Sequence, residues 1–321
     1  MTRGLTRRRV LHVFPDRSSE LLRGYEEGEF WVDYRAAADR AGLDFAVAAP
    51  DHFAIARGTA YWRDEPLSPE RDILVYGVRT NPTHEVDLWT GLSLMRSLAT
   101  LGFWLPIPLD TGILLNDKYA TLNAFQDSPV PGIPTIRITA DRDVHRLRHL
   151  NLVPGDWFPV FVKPLSWSGG QGCLSCPDRD SLEAVLGLAA GSGTGVAVQP
   201  RLAGVTADIR VVVVEGTVIA MFDRIPRQGS HVANVSRGGS YALRTEIDAR
   251  VHELAKLASD RLGVSYLCVD LLLADGELWL SEFEADGAVS RLLAPADVVH
   301  HVVATRFAAY ERRLDAFLAG R

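Results

Sequence analysis

The chain has 321 residues, 47% of them hydrophobic and 23% charged, with a formal net charge of -6. At roughly 150 residues per domain that length suits two lobes with substantial cores, and the composition is that of an ordinary globular protein. The acidic balance excludes a general attraction to nucleic acid or acidic membranes, so an anionic ligand would need a local basic site.

The opening MTRGLTRRRVLHVF is basic but meets Pro15 and Asp16 before the apolar core of a signal peptide is complete. No segment approaches the roughly 20 apolar residues that span a bilayer, and a cytoplasmic location is expected. Cys173 and Cys176 form a CxxC without a second pair, and with Cys268 make three cysteines in all, so neither a zinc site nor a disulfide framework is expected.

In chain order, RRVLHVF predicts a strand. VDYRAAADRAGLDFAVAAP predicts a helix stopped by Gly42 and then a second strand, and DILVYGV a third, which together make a βαβ-type lobe. EVDLWTGLSLMRSLATLG is an amphipathic helix ending at Gly102, after which two prolines in WLPIPLDTG carry the chain into new structure near residue 110. NDKYATLNAFQDS predicts a short helix capped by Asn116, and FPVFVK a strand running into the loop PLSWSGGQG. VAVQP is a further strand, and ADIRVVVVEGTVIAMFDRI reads as two strands turning at Glu215 and Gly216. A helix over 246–262, stopped by Gly263, precedes the hairpin YLCVDLLLADGELWLSEFEAD. The alternation of this second lobe is antiparallel, unlike the first.

Lys163 ends an apolar strand just before a tryptophan and three glycines. A P-loop places its lysine after the glycines, and GxGxxG is absent, so neither common nucleotide motif applies. The physics is shared, because glycines let backbone N–H groups approach phosphate oxygens while a lysine supplies a point charge. The acidic end of the chain supplies a complement. Asp270 interrupts an apolar strand, and Glu282 and Glu284, two apart in EFE, point to one strand face. Facing carboxylates repel unless a cation lies between them, and magnesium binds through a few carboxylates plus phosphate oxygens. Asp208 and Arg210 share one face of their strand, Asn234 and Arg237 stand on a glycine-rich polar loop, and Arg79 in YGVRTN ends a first-lobe strand facing the expected cleft, a candidate for holding a substrate carboxylate.

Parity constrains the last hairpin. A two-residue turn at Asp275–Gly276 would pair Asp270 with Ser281 and send Glu282 to the opposite face. Joining the three carboxylates requires an odd loop, Ala274–Gly276, which pairs Asp270 with Leu280, or a bulge with the same effect.

The series NDKYATLNAF, FVKPLSWSGGQG, VQPRLAG with ADIRVVVV, ANVSRGG and CVDLLL with LSEFEADG resembles the ATP-grasp superfamily, in its glutathione-synthetase-like and ribosomal-protein glutamate ligase branch. The resemblance covers nearly the whole chain. It implies an α/β (α+β) ATP-grasp fold with an N-terminal Rossmann-like pre-ATP-grasp domain over 1–110, an ATP-grasp domain over 111–321 and a lid at roughly 140–198. It further implies that Lys118, Lys163, Ser168, Gly169 and Gly170 hold ATP phosphates, and that Gln199, Pro200, Arg201 and Leu202 form the adenine hinge with Asp208 on the nucleotide side. Asp270, Glu282 and Glu284 would be ligands of two Mg2+, replaceable by Mn2+, and Arg210, Asn234 and Arg237 would stand near the transferred phosphate. The implied activity is ADP-forming carboxylate–amine ligation through an acyl phosphate, on an amino acid, a small peptide or a peptide side chain. A kinase or a non-catalytic ATP-binding protein is the alternative, and homo-oligomerisation stays open. The chain departs from the branch where Glu284 replaces its usual asparagine and Asp286–Gly287 replaces the small residue and proline that often follow.

Overall fold

The computed structural model describes residues 7–14, 28–77, 87–139, 148–225, 240–291 and 294–321. Three strands, β1 (Arg9–Val13), β2 (Asp44–Ala48) and β6 (Asp72–Tyr76), form a parallel sheet in the order β2-β1-β6. All five residues of β1 and of β6 are buried, as expected of strands covered on both faces. One cover is α1 (Val32–Ala41), which ends where Gly42 turns left-handed at φ 75°; the other is α2 (Asp87–Thr100). Between β2 and β6 lies a small antiparallel sheet that the sequence patterns did not reveal: β3 (Phe53–Ala56), β4 (Thr59–Trp62) and β5 (Glu65–Pro66).

The crossing after Gly102 holds a short helix, α3 (Leu109–Leu115), followed by α4 (Lys118–Ala124). Asp117, rather than the expected Asn116, caps α4, because its carboxylate accepts the N–H groups of Tyr119 and Ala120. A four-stranded antiparallel sheet comes next, in the order β7-β10-β8-β9, from β7 (Ile136–Ile138), β8 (Val160–Pro164), β9 (Leu174–Cys176) and β10 (Val196–Pro200). Helix α5 (Arg179–Ser192) covers one face and packs Leu182 and Leu186 on Val160, Val162 and Val198. The alternating burial of β8 leaves Phe161 and Lys163 on the other face.

The central sheet has five antiparallel strands in the order β13-β12-β11-β14-β15: β11 (Val205–Val214), β12 (Thr217–Ile225), β13 (Ser240–Leu243), β14 (Tyr266–Ala274) and β15 (Glu277–Glu284). On one face α6 (Ala249–Leu262), capped by Asp248 and so starting a few residues later than expected, buries Val251, Leu254 and Ala258 against Val211, Val269 and Leu271. On the opposite face α7 (Ala296–Ala319), which no sequence motif announced, packs with α1 between the central and parallel sheets. Val212, Phe222 and Cys268 of the central sheet thereby share one core with Val10, Val47 and Ile73 of the parallel sheet. That common core fixes the two lobes against each other, and the upper end of the same sheet face is left free for polar groups.

Candidate active site

The polar groups on this face come from register. Of the two alternatives expected for the β14–β15 hairpin, an odd loop or a bulge with the same effect, the bulge is the one formed. Ala274 faces Glu277 across a two-residue turn, with Asp275 and Gly276 both left-handed at φ 49° and 83°. Asp-Gly favours that turn because both of its central residues require positive φ. Parity is corrected further along, where Leu271 pairs with Leu280 and then Asp270 with Glu282, leaving Ser281 as the extra residue of a bulge. The bulge therefore puts Glu282 opposite Asp270.

A second irregularity acts on β11 and β12. Val213 pairs with Val218 but Val212 with Ala220, so Ile219 is extra and Asp208 meets Arg224 instead of Asp223. Arg224 is the residue that the sequence reading missed. A hairpin pattern places it one residue out of line, and only the bulge at Ile219 aligns it with Asp208.

These strands assemble a buried ionic network. Arg210 donates from Nε and Nη2 to the two carboxylate oxygens of Asp270, both at 2.9 Å, and its Nη2 lies 2.8 Å from Oε2 of Glu284. Arg224 donates from Nη1 to Asp270 Oδ2 at 2.9 Å and from Nε to Asp208 Oδ1 at 3.0 Å. Burial alone would raise the Asp270 pKa, yet the two guanidiniums hold it well below the usual carboxylate range. Asp208 goes the other way, because burial and then the charge of Asp270 outweigh Arg224 and raise it. Asp270, Glu282 and Glu284 offer oxygen atoms that lie within 4.8 Å of one another. Three hard oxygen donors at that spacing suit a divalent cation such as Mg2+.

The second sheet faces this cluster. Lys163 Nζ sits 5.6 Å from the ring centroid of Phe161, and burial lowers its pKa below the ordinary value although Glu282 acts in the opposite sense. Lys118, the first residue of α4, donates from Nζ to the carbonyls of Trp167 at 2.8 Å and Leu165 at 3.3 Å, and lies 3.6 Å from Oε1 of Glu282. It ties the root of the glycine loop to the carboxylate cluster. Gly169, Gly170 and Gly172 all have φ between 66° and 68°. At Gly172 a Cβ would stand 2.7 Å from Pro164 and 2.8 Å from the Trp167 ring, so the loop can close over the tryptophan only with glycine there.

A cavity of about 1040 Å3 separates the two sheets, and Lys118, Lys163, Gly169, Gly170, Asp208, Asp270, Glu282 and Glu284 all line it. Gln199, Pro200, Arg201 and Leu202 line it from the strand that crosses between the sheets. The Gln199 side chain is committed to Thr135 Oγ1 at 2.8 Å and the Arg201 N–H to the Pro159 carbonyl at 2.9 Å, which locks this crossing in place. Ser168 lies beside a smaller neighbouring cavity with Lys118 and Glu282. Arg79, Asn234 and Arg237 lie outside the described residues.

The segment after Glu284 is also anchored in a way no motif indicated. Tyr266 Oη and Arg306 Nη1 both donate to the Gly287 carbonyl, at 2.6 and 3.3 Å, and the Val289 N–H donates to Tyr34 Oη at 3.1 Å. Arg306, 1% exposed, stacks with its guanidinium carbon 3.8 Å from the Tyr266 ring centroid. Residues of α1 and α7 thus set the position of the segment that follows the carboxylates.

Residues 129–294 match the model of the RimK-like ATP-grasp domain. A ribosomal protein bS6–L-glutamate ligase of Salmonella paratyphi B is 31% identical over 192 residues, which is 57% of this chain and 60% of that protein. The chain therefore matches less than two thirds of the length of the curated relatives. Among solved structures, D-cycloserine synthetase DcsG superposes with a TM-score of 0.67 at 17% identity, covering 95% of this chain and 99% of that one. The D-alanine–D-alanine ligase of Bacillus anthracis complexed with ATP gives 0.65 at 14% identity, covering 97% and 99%. At such identities the superpositions show a common fold.

Proposed function

Because the chain belongs to the RimK-like ATP-grasp family, we propose that it is an ATP-dependent, ADP-forming carboxylate–amine ligase. The observation that carries this reading is the convergence, on one cavity, of two lysines, a glycine loop and the carboxylates of Asp270, Glu282 and Glu284. Lysines from a helix and from one sheet facing carboxylates on the other sheet are what a polyphosphate with its counter-ions requires.

In the proposed reaction an oxygen of the acid substrate attacks the γ-phosphorus of ATP and the bond to the β-bridging oxygen breaks, releasing ADP. An amine then attacks the acyl carbon of the resulting acyl phosphate, the carbon–oxygen bond to phosphate breaks, and an amide, phosphate and a proton are left. Phosphoryl transfer asks for positioning and charge neutralisation more than for covalent help. Lys163 and Lys118 neutralise the phosphates, and the loop at Ser168, Gly169 and Gly170 excludes water that would hydrolyse the intermediate. Arg210 stands beside the reacting phosphate, and Arg224 holds Asp270 and Asp208 in orientation. Gln199, Pro200, Arg201 and Leu202 hold the adenine, with Asp208 on the same side. Asp270, Glu282 and Glu284 would hold two Mg2+, for which Mn2+ can substitute and which when bound supply further neutralisation of phosphate charge. Asn234 and Arg237 steady the acyl phosphate, and Arg79 takes a substrate carboxylate.

The substrates are an amino acid or small peptide and an amine, one of them carried on a peptide, in the way that the relative's name pairs a protein with glutamate. We read the enzyme as cytoplasmic, where its cosubstrate ATP is made and held, and no described helix is long and apolar enough to cross a membrane. The test is ADP release from Mg2+-ATP against pooled acids and amines, with mass analysis of products. An amide that forms only with both substrates present supports the ligase. AMP with pyrophosphate, or a stable phosphorylated product insensitive to amine, refutes it.

A further inference from the structure

The central sheet has a notch in its margin. Strand β13 pairs with Phe222–Ile225 only, so the stretch of β12 from Val218 to Met221 has no second strand beside it among the described residues. Arg244 continues the line of β13 by donating its N–H to the Met221 carbonyl at 3.0 Å, and beyond it no described strand pairs with the edge. The remaining three-residue edge, Val218–Ala220, is about 10 Å long and presents backbone donors and acceptors to anything extended that lies along it.

The notch opens into a second cavity of about 760 Å3 between the starts of α6 and α7. Its walls are apolar at Val218, Met221, Leu243, Ile247 and Val298, and Leu243 is 49% exposed. Its rim is charged or ionisable at Glu246, Asp297, His252 and His301. Arg244 lines both this cavity and the nucleotide cleft, and on the cleft side its Nε donates to Asp223 Oδ1 at 2.7 Å, so the two cavities adjoin at Arg244. A bare strand edge, apolar pockets on either side of it and a charged rim match the way extended peptides are held, with main-chain hydrogen bonds for affinity and alternate side chains for selectivity.

We propose that this notch is the docking groove of a polypeptide substrate, which adds an extended segment to the Val218–Ala220 edge while its reacting side chain reaches past Arg244 into the cleft. The size of the cavity and its continuity with the cleft favour a segment of chain over a free amino acid. The proposal rests on the ligase reading for its chemistry, but its binding can be read separately.

The probe is an equimolar mixture of N-acetylated, C-amidated decapeptides of alternating apolar and charged residues, each with one glutamate. In the full chain the mixture should slow amide hydrogen exchange across Val218–Ala220. Val298→Arg and Leu243→Asp, both at partly exposed positions where the fold tolerates change, should abolish that protection with unchanged melting temperatures. With Mg2+-ATP and pooled amino acids as the amine cosubstrate they should raise the half-saturating peptide concentration by at least about tenfold while maximal ADP release is retained. Absence of protection in the wild type, or protection that both variants leave intact, overturns the groove. Protection without ADP release leaves the groove standing and counts against the ligase reading, and ADP release without protection does the reverse.

Discussion

Asp270→Asn tests the buried network where it is most concentrated. The carboxylate is 4% exposed and accepts three hydrogen bonds of 2.9 Å, two from Arg210 and one from Arg224. Asparagine keeps the shape but offers one acceptor and turns its NH2 toward a guanidinium, which has only donors. Breaking a buried pair by neutralising one partner costs about 3–5 kcal/mol. Because Glu284 still faces Arg210 and Asp208 still faces Arg224, the lower end of that range is expected, about 3 kcal/mol. At about 2–4 °C per kcal/mol the melting temperature should fall by roughly 6–12 °C. Urea unfolding at neutral pH and Mn2+ binding followed by electron paramagnetic resonance would measure the two consequences together, since the same substitution removes a ligand oxygen. The sign with pH is fixed: a folded-state pKa held below the ordinary 3.8 means that the stabilisation is complete above that value and is lost as pH falls through the folded-state one. The gap between wild type and variant should therefore be constant near neutrality and narrow in strong acid. A variant as stable as the wild type with undiminished Mn2+ binding would refute both the network's contribution and the cation site.

Lys163→Met should lower ADP release by about a hundred- to a thousandfold, the effect of losing an electrostatic stabiliser, and unchanged turnover in a folded variant would remove Lys163 from the site. Since burial holds the Lys163 pKa below its ordinary 10.5, its ammonium costs stability at neutral pH, and in urea titrations the wild type should gain on this variant as pH rises toward 10.5. Gly172→Ala forces a Cβ into Pro164 and Trp167 at a left-handed φ of 67°, which costs about 1–2 kcal/mol from backbone alone. ATP affinity by calorimetry should drop by about tenfold, and an unaltered affinity would separate the loop from nucleotide binding. Deleting Ser281 removes the bulge yet leaves Glu282 directly after Leu280 and opposite Asp270, so Mn2+ binding should survive; its complete loss in a folded deletion variant would contradict the face assigned to Glu282.

The sequence by itself determined what short-range physics controls. Gly42 and Gly263 end their helices because a left-handed cap needs no Cβ, Glu215–Gly216 turns its hairpin, and Lys163 stands at the end of a strand before its glycine loop. Residues whose chemistry is unusual for their setting, such as Asp270 among Val269 and Leu271, marked the site without any coordinates. Tertiary structure decided what depends on one-residue shifts and on distant partners. A strand has a period of two, so a bulge at Ser281 or Ile219 inverts every side chain beyond it, and nothing local in LWLSEFE or GTVIAMF says where the extra residue falls. That is why the carboxylates and the need for an odd loop or a bulge were foreseen while the position of the bulge was not, and why Arg224 was passed over. Arg306 and Tyr34 were equally silent, since their task is set by the Gly287 carbonyl and the Val289 N–H. Only the packing of α1 and α7 against the central sheet brings those atoms within reach, because a buried arginine or tyrosine takes its role from whichever polar group the fold leaves beside it.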